Sequence, residues 1–228
     1  MRKLVLWGHD LADYAEMFAL PQEAWQGRIL EFGSGPSAVN SKLTAKGGQI
    51  VSCDPLFMLD KDTLYTKIEL IFAEMVEEVH QAQDLFDFSL DGGLQSLIKR
   101  RRAGMAAFLK DYSAGQKAGR YLGVQELKLP YKDFEFDYAL SSHYLFAGLD
   151  NQDVDFHLEV LKELSRVAKE ARIFPLIDRH GQVSEFLGPV LLGLQQAGYG
   201  VEVREVPYHF QHSGNAMLRV WAQACNLS

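Results

Sequence analysis

Residues 27–58 read GRILEFGSGPSAVNSKLTAKGGQIVSCDPLFM, and this stretch decides the fold. It begins with an apolar strand at 29–32, which runs into a glycine loop at 33–35. A helix follows, and a second strand at 49–53 ends on Asp54. Strand, glycine loop, helix and strand in this order predict one unit of a doubly wound α/β sheet, with its ligand crevice where the strands end and the helices begin.

Four residues of this unit favour one class of ligand. Dinucleotide cofactors rest their pyrophosphate on free backbone N–H groups at a helix N-terminus, and Pro36 has no N–H and places a ring there. Glu31 is a carboxylate in a buried strand, which is costly unless it meets a cation or a hydrogen-bond donor such as a ligand amino group. Ala38, in place of the last glycine, suits either class, and Asp54 can accept both hydroxyl hydrogens of a ribose. The pattern favours a cationic nucleoside without phosphates, S-adenosylmethionine.

The same residues resemble a motif of the class I S-adenosylmethionine-dependent methyltransferases. The family's acidic-x-Gly-x-Gly motif corresponds to Glu31, Gly33 and Gly35, and the acidic end of its second strand corresponds to Asp54. A glycine loop alone is a weak signal. The resemblance therefore depends on whether later parts of the chain agree with it.

Two later stretches do agree. Residues 127–146, LKLPYKDFEFDYALSSHYLF, resemble the family's approach to a fourth strand that opens into the site, and residues 161–177, LKELSRVAKEARIFPLI, resemble the helix and fifth strand that follow. The resemblance covers roughly 27–58 and 120–223. It implies a doubly wound, mostly parallel seven-stranded sheet with a terminal antiparallel hairpin.

The resemblance also implies a cofactor site. Its residues would be Glu31, Gly33, Ser34, Gly35, Asp54, Pro55, Gln125, Glu126, Ser141 and Ser142. Gln125 and Glu126 stand where the family commonly has an Asp that contacts adenine, so this departure leaves the adenine contact open.

Residues after the predicted fourth strand are candidates for the chemistry. His143 and Tyr144 follow that strand, where the family places groups beside the methyl donor, and a neutral imidazole can act as a base or orient the acceptor near pH 7. A histidine that only caps the following turn is an equal alternative for His143. Tyr14 and Tyr208 are candidates for lining the acceptor pocket, with packing in the core or in a lid as the alternative for Tyr14.

Other motifs favour ordinary structural roles. The basic run at 99–102 fans around a helix, which predicts a solvated surface rather than an anion site. His209 and His212 lie three apart, but a metal site would need further ligands, so no metal is predicted. The Asn/Asp-Pro-Pro-aromatic motif of enzymes that methylate bases is absent, and Cys53 does not resemble the nucleophile of cytosine-C5 enzymes.

Composition limits the class of protein further. The chain has 228 residues, 47% of them apolar, and a formal net charge of −7. An acidic balance argues against general affinity for nucleic acid or anionic membrane. Two distant cysteines, Cys53 and Cys225, fit reduced thiols, and no run approaches the length of a membrane span. These features predict a cytoplasmic protein.

The spacing of apolar residues predicts the elements outside residues 27–58. It predicts a short helix at 9–19 and, within an insertion at 59–115, two helices separated by Asp91, Gly92 and Gly93. Later elements are predicted as strands at 121–125, 136–141 and 171–177, helices at 155–169 and 184–197, and a hairpin with its turn at 213–215. The whole chain, 1–228, is thus expected to be a single domain that carries a helical cap at 59–115.

The sequence therefore predicts an S-adenosylmethionine-dependent methyltransferase whose acceptor is a small molecule. A non-catalytic protein that binds S-adenosylmethionine, such as a sensor or an assembly partner, is an alternative, because a fold does not prove a chemistry. An NAD-dependent dehydrogenase is disfavoured by Glu31 and Pro36. The identity of the acceptor and the oligomeric state stay open.

Overall fold

The structure is a computed structural model that describes residues 7–125, 127–147, 152–178, 180–208 and 210–222, with Leu90 described by its backbone only. Glu126, His209 and Cys225 lie outside the described residues. Among the described helices, none is both long and apolar enough to cross a lipid bilayer.

A seven-stranded sheet forms the centre of the molecule. Its strands are β1 (Arg28–Phe32), β2 (Gln49–Asp54), β3 (Tyr121–Gly123), β4 (Phe136–Ser142), β5 (Ala168–Phe174), β6 (Tyr199–Glu205) and β7 (Ala216–Ala222), in the order β3-β2-β1-β4-β5-β7-β6. The first five run parallel to one another, and β7 pairs antiparallel with both β5 and β6. The predicted fold class, a doubly wound sheet with a terminal antiparallel pair, is confirmed, and its strand order is that of the class I methyltransferase fold.

Six helices cover the sheet. They are α1 (Leu11–Met17), α2 (Val39–Ala45), α3 (Lys61–Gln81), α4 (Leu94–Lys117), α5 (Val154–Val167) and α6 (Leu187–Gln196). Side chains alternate along each strand, so Ile29 joins the apolar cluster under α1, α2, α3 and α4, whereas Leu30 joins the cluster under α5 and α6. The alternation gives the sheet a buried core on both faces.

Two predicted strands have wrong boundaries. The fifth strand was expected at 171–177, but β5 ends at Phe174, because Pro175 has no N–H to continue the ladder. The third strand was expected to reach Gln125, but it pairs with β2 only as far as Gly123. At both carboxyl ends, apolar residues continue past the last pairing. The fifth strand also begins earlier than predicted, at Ala168, where it pairs with Phe136 of β4.

The insertion forms the two predicted helices, α3 and α4, and the break between them has left-handed backbone at Gly92 and Gly93 (φ 71° and 118°). Phe108 and Tyr112 of α4 are fully buried and pack against Phe57 and Tyr121 at the β2–β3 side of the sheet. The insertion is therefore part of the main core.

The other end of the insertion reaches across the carboxyl edge of the sheet. The amide of Asp87 donates to the Phe210 carbonyl, and the amide of His212 donates to the Leu85 carbonyl. Since Phe210 and His212 follow β6, the link between α3 and α4 lies at the same edge as the glycine loop. Its role as a substrate-selecting cap stays a prediction.

Candidate functional site

The glycine loop uses its backbone donors inside the protein. The amides of Gly33, Gly35, Ser37, Ala38 and Val39 donate to Cys53 O, Asp54 Oδ2, Gly35 O, His9 O and Ser37 Oγ, at distances between 2.8 and 3.1 Å. Pro36 has no donor to offer. A pyrophosphate would need several of these N–H groups to be free, so the loop is unsuited to a dinucleotide.

Asp54 joins the end of β2 to this loop. Its Oδ2 accepts the amide of Gly35 at 2.8 Å, and its Oδ1 accepts the amide of Leu56 at 2.8 Å, at the start of a short 3-10 helix (Pro55–Met58). Burial raises the pKa of the Asp54 carboxyl to about 6, although both amides favour the ionised form. Each oxygen has a second lone pair, so Asp54 can still accept the hydroxyl groups of a ligand.

Glu31 is satisfied by the protein itself. Tyr14 Oη and Ser37 Oγ donate to its Oε1 at 2.7 and 2.5 Å, and Ser52 Oγ donates to its Oε2 at 2.5 Å. Burial raises the pKa of Glu31 despite these three hydroxyl donors. The burial of Glu31 therefore does not require a ligand amino group, because three hydroxyl groups of the protein donate hydrogen bonds to its carboxylate.

Aromatic rings cover the two loop glycines. Gly33 and Gly35 both have left-handed backbone (φ 69° and 61°), which favours glycine. A Cβ on Gly33 would lie 2.3 Å from the Tyr144 ring, and a Cβ on Gly35 would lie 3.0 Å from the Trp7 ring. A side chain from the N-terminal segment and one from the loop after β4 thus each lie against the glycine loop.

Ser141 Oγ, near the end of β4, is a buried hydroxyl with no partner among the described residues. Ser34 Oγ in the glycine loop also lacks a hydrogen bond of ordinary geometry, but it lies close enough to Tyr14 and Glu31 to influence the pKa of both. A buried polar atom without a hydrogen bond costs about 1–3 kcal/mol. Such atoms are expected where a ligand supplies the missing partner.

His143 follows β4 in a strained and tightly held conformation. Its φ is 56°, and its amide donates to the Phe174 carbonyl at 2.6 Å. Left-handed backbone at a residue other than glycine costs of order 1–3 kcal/mol and persists where the surroundings impose it. The ring Nδ1 lies 3.0 Å from Ser142 Oγ, and the ring stacks on that of His9, with centroids 4.9 Å apart and an interplanar angle of 10°.

The two imidazoles are neutral. Burial, with the Arg101 charge second, lowers the pKa of His143 to about 3 and lowers the pKa of His9 well below its usual range. His143 therefore carries no charge at pH 7. In this state it is a weak base.

Arg101 corrects the prediction that the basic run at 99–102 is a solvated surface. Its side chain is fully buried, where Nη1 donates to Asp13 at 2.6 Å and Nη2 donates to Tyr208 Oη at 2.7 Å, while Nε has no partner among the described residues. Arg100 shares Asp13 from the other side. Lys99 and Arg102 are exposed and fit the predicted surface role.

The helical phase of α4 could have identified Arg101. Its buried positions include Leu97, Arg101, Met105, Phe108 and Tyr112, which recur at intervals of three and four residues. The four consecutive charges resemble a solvated surface, although Arg101 falls on the apolar face of the helix. His9 gave no comparable signal, because its partners are distant in the sequence.

The remaining predicted site residues differ in exposure and in contacts. Gln125 and Pro55 are exposed, Ser142 contacts His143, and Tyr14 and Tyr208 are buried with their hydroxyls bonded to Glu31 and Arg101. No cluster of three or more potential metal ligands occurs in the part of the chain that the structure describes. The roles of these residues toward a cofactor or an acceptor stay predictions.

The chain was compared with family models, with curated proteins and with solved structures. No family model matches the chain. An uncharacterized protein of Methanocaldococcus jannaschii is 27% identical over 219 residues, which is 96% of each chain.

Solved structures that are similar to this chain include S-adenosylmethionine-dependent methyltransferases. One from Aquifex aeolicus is 21% identical, with 91% of this chain and 90% of that chain covered and a TM-score of 0.43. A TehB-like one from Corynebacterium glutamicum is 14% identical, with 96% and 89% covered and a TM-score of 0.48. Both likenesses concern the fold.

Proposed function

We propose that this protein transfers the methyl group of S-adenosylmethionine to a small-molecule acceptor. The observation that carries the proposal is the state of the glycine loop, whose amides from Gly33 to Val39 are largely used within the protein while the Asp54 carboxylate keeps lone pairs free. A loop of this kind suits a nucleoside with ribose hydroxyls and without phosphates. Its position at the carboxyl edge of β1 and β2 is where doubly wound folds bind such ligands.

The available side chains fit the chemistry of that cofactor. Asp54 would accept the ribose hydroxyls, and the buried hydroxyls of Ser34 and Ser141 would meet its polar groups. Gly33 and Gly35 would let the nucleoside approach the backbone once the Tyr144 and Trp7 rings move aside. When bound, the cofactor supplies an activated methyl group.

The work left to the protein is to hold the acceptor and exclude water. Orientation of this kind can supply up to ~7–11 kcal/mol of the barrier reduction. Because burial keeps the pKa of His143 near 3, its ring is better suited to accept a hydrogen bond from the acceptor than to remove a proton from it. This favours an acceptor atom that is already nucleophilic at neutral pH, with His143 and Tyr144 as orienting groups.

The insertion is proposed to select the acceptor. The segment between α3 and α4 is held to residues that follow β6, and Arg101 reaches from α4 to Tyr208 beyond the end of the same strand. The expected substrate pocket therefore has one wall from the insertion. Tyr14 and Tyr208 are proposed to line this pocket. The protein is proposed to act in the cytoplasm.

Two experiments test this function in turn. Calorimetry with S-adenosylmethionine, S-adenosylhomocysteine and NAD should show saturable binding of the two adenosyl ligands and none of NAD, whereas binding of NAD alone would refute the cofactor. Incubation with methyl-labelled donor and fractionated small molecules should then move label to an acceptor. Binding without any transfer would favour the non-catalytic sensor.

A further inference from the structure

His9 lies against His143 although the two residues are 134 positions apart in the chain. Their rings stack nearly in parallel, with centroids 4.9 Å apart and an interplanar angle of 10°. His9 is buried, with an exposed fraction of 2%, whereas His143 is partly exposed. One face of the His143 ring is thus covered by His9.

The backbone fixes His9 in this place independently of its side chain. The His9 carbonyl accepts the amide of Ala38, at the start of α2, at 2.8 Å. The preceding Gly8 lies so close to α4 that a Cβ on it would be 2.0 Å from the Arg101 carbonyl, and a Cβ on Gly104 would be 2.1 Å from the Gly8 carbonyl. The segment is clamped between α2 and α4, so replacing the imidazole removes the ring without releasing the chain.

The other neighbours of His143 fix its remaining freedom. Ser142 Oγ engages Nδ1 at 3.0 Å, Phe174 meets the ring edge to face at 5.5 Å, and the left-handed backbone sets the direction of the side chain. The charged groups that act on the two histidines are the guanidinium groups of Arg101 and Arg100, and Tyr14 faces His9 at 6.4 Å. Nε2 is the ring nitrogen that remains for an acceptor.

We infer that His9 is a positioning residue for His143, which fixes the plane of the His143 ring and shields it from water so that Nε2 faces the acceptor. The inference rests on the proposed function, since it assigns a role within the same site. The ring that performs this role must be flat and must fill the space over His143, but it need not titrate. Phenylalanine at position 9 should therefore replace histidine, and alanine should not.

The test uses nuclear magnetic resonance of the full chain with ¹⁵N-labelled histidine, with His143 assigned through His143→Gln. In the parent and in His9→Phe, His143 should stay in one neutral tautomer over the whole range in which the protein is folded. In His9→Ala, water reaches the exposed face, so the titration midpoint should rise by about one pH unit or more and the tautomers should mix. His9→Leu, which fills space without a flat ring, should mix the tautomers with a smaller rise.

Two results would overturn the inference. The first is a His9→Ala spectrum in which His143 keeps the parental midpoint and tautomer. The second is a His9→Phe variant that changes as much as His9→Ala. Should His9→Ala fail to fold, the comparison between His9→Phe and His9→Leu decides in the same way.

Calorimetry on the same variants separates this inference from the proposed function. Affinity for S-adenosylhomocysteine should match that of the parent in His9→Phe and His9→Ala, since the bond to Ala38 is made by the backbone. A parent protein that binds no adenosyl ligand would refute the methyltransferase proposal and leave the histidine result to stand or fall on its own spectra.

Discussion

The amide of Gly35 donates to Oδ2 of Asp54 at 2.8 Å, so the residue that is expected to bind ribose also holds the glycine loop in place. The other oxygen of Asp54 holds Leu56 at the start of the next segment. One carboxylate therefore ties the loop after β1 to the end of β2. Any change at Asp54 will affect the ligand directly and the loop indirectly.

Asp54→Ala should weaken binding of S-adenosylhomocysteine by about 1.5–3 kcal/mol, the range for hydrogen bonds to a charged group. Calorimetry measures the loss. Asp60→Ala is the matched control, because Asp60 also accepts two backbone amides, those of Asp62 and Thr63, but lies on the exposed start of α3. The control should lose a little stability as a missing helix cap and keep its affinity; equal affinity in both variants would mean that Asp54 does not contact the ligand.

The pKa of Asp54, near 6, predicts two opposite pH trends. The ionised form accepts ribose hydroxyls, so affinity for S-adenosylhomocysteine should fall as the pH drops below 6, by up to about tenfold for each pH unit, until the loss equals that of Asp54→Ala. The contribution of Asp54 to the stability of the ligand-free protein, measured as the difference between the parent and Asp54→Asn, should instead fall as pH rises toward 6, because the unfolded chain releases this proton first. Calorimetry and urea unfolding across this range measure both trends, and a flat affinity profile would exclude ionised Asp54 as the acceptor.

Arg101→Met should lower the free energy of unfolding by about 3–5 kcal/mol, because it leaves the buried Asp13 with one of its two guanidinium partners and Tyr208 with none. Arg102→Met is the matched control on the next residue. Arg102 is half exposed and pairs with Glu69 at 3.1 Å, so its loss should cost no more than about 1 kcal/mol. Urea unfolding of the two variants makes the comparison; similar small losses would mean that Arg101 is not buried in solution.

The fold was predictable because its signals are local in the sequence. The loop between β1 and α2 needs glycines at particular positions. The helices of the insertion repeat apolar residues along one face. Neighbouring residues suffice to recognise both features. The two misplaced strand ends show the limit, since pairing with another strand decides where a strand stops.

The interior of the candidate site was less predictable because its partners come from distant elements. The hydroxyls on Glu31 belong to Tyr14, Ser37 and Ser52, and each lies on a different element. The stack of His9 on His143 likewise joins the N-terminal segment to the loop after β4. A single sequence identifies such residues as polar but does not show which of them meet.

The bond from Tyr14 to Glu31 gives a further test of the buried site. Tyr14→Phe keeps the ring, which packs edge to face on Phe18 at 5.1 Å, and removes only the hydroxyl that donates to Glu31 at 2.7 Å. The variant should lose about 1.5–3 kcal/mol of stability at neutral pH, because a buried carboxylate loses one of three donors. Tyr65→Phe, at an exposed position of α3, is the control and should be nearly neutral.

The pH dependence of this loss identifies its cause. Burial already raises the pKa of Glu31, and the missing donor should raise it further, since a hydrogen bond to the charged form is lost. Below that raised pKa, Glu31 is protonated and the bond is a weaker one between neutral groups. Urea unfolding should therefore show that the difference between Tyr14→Phe and the parent is largest at neutral pH and shrinks as the pH falls. A difference that stays constant with pH would mean that the loss comes from packing and not from the Glu31 carboxylate.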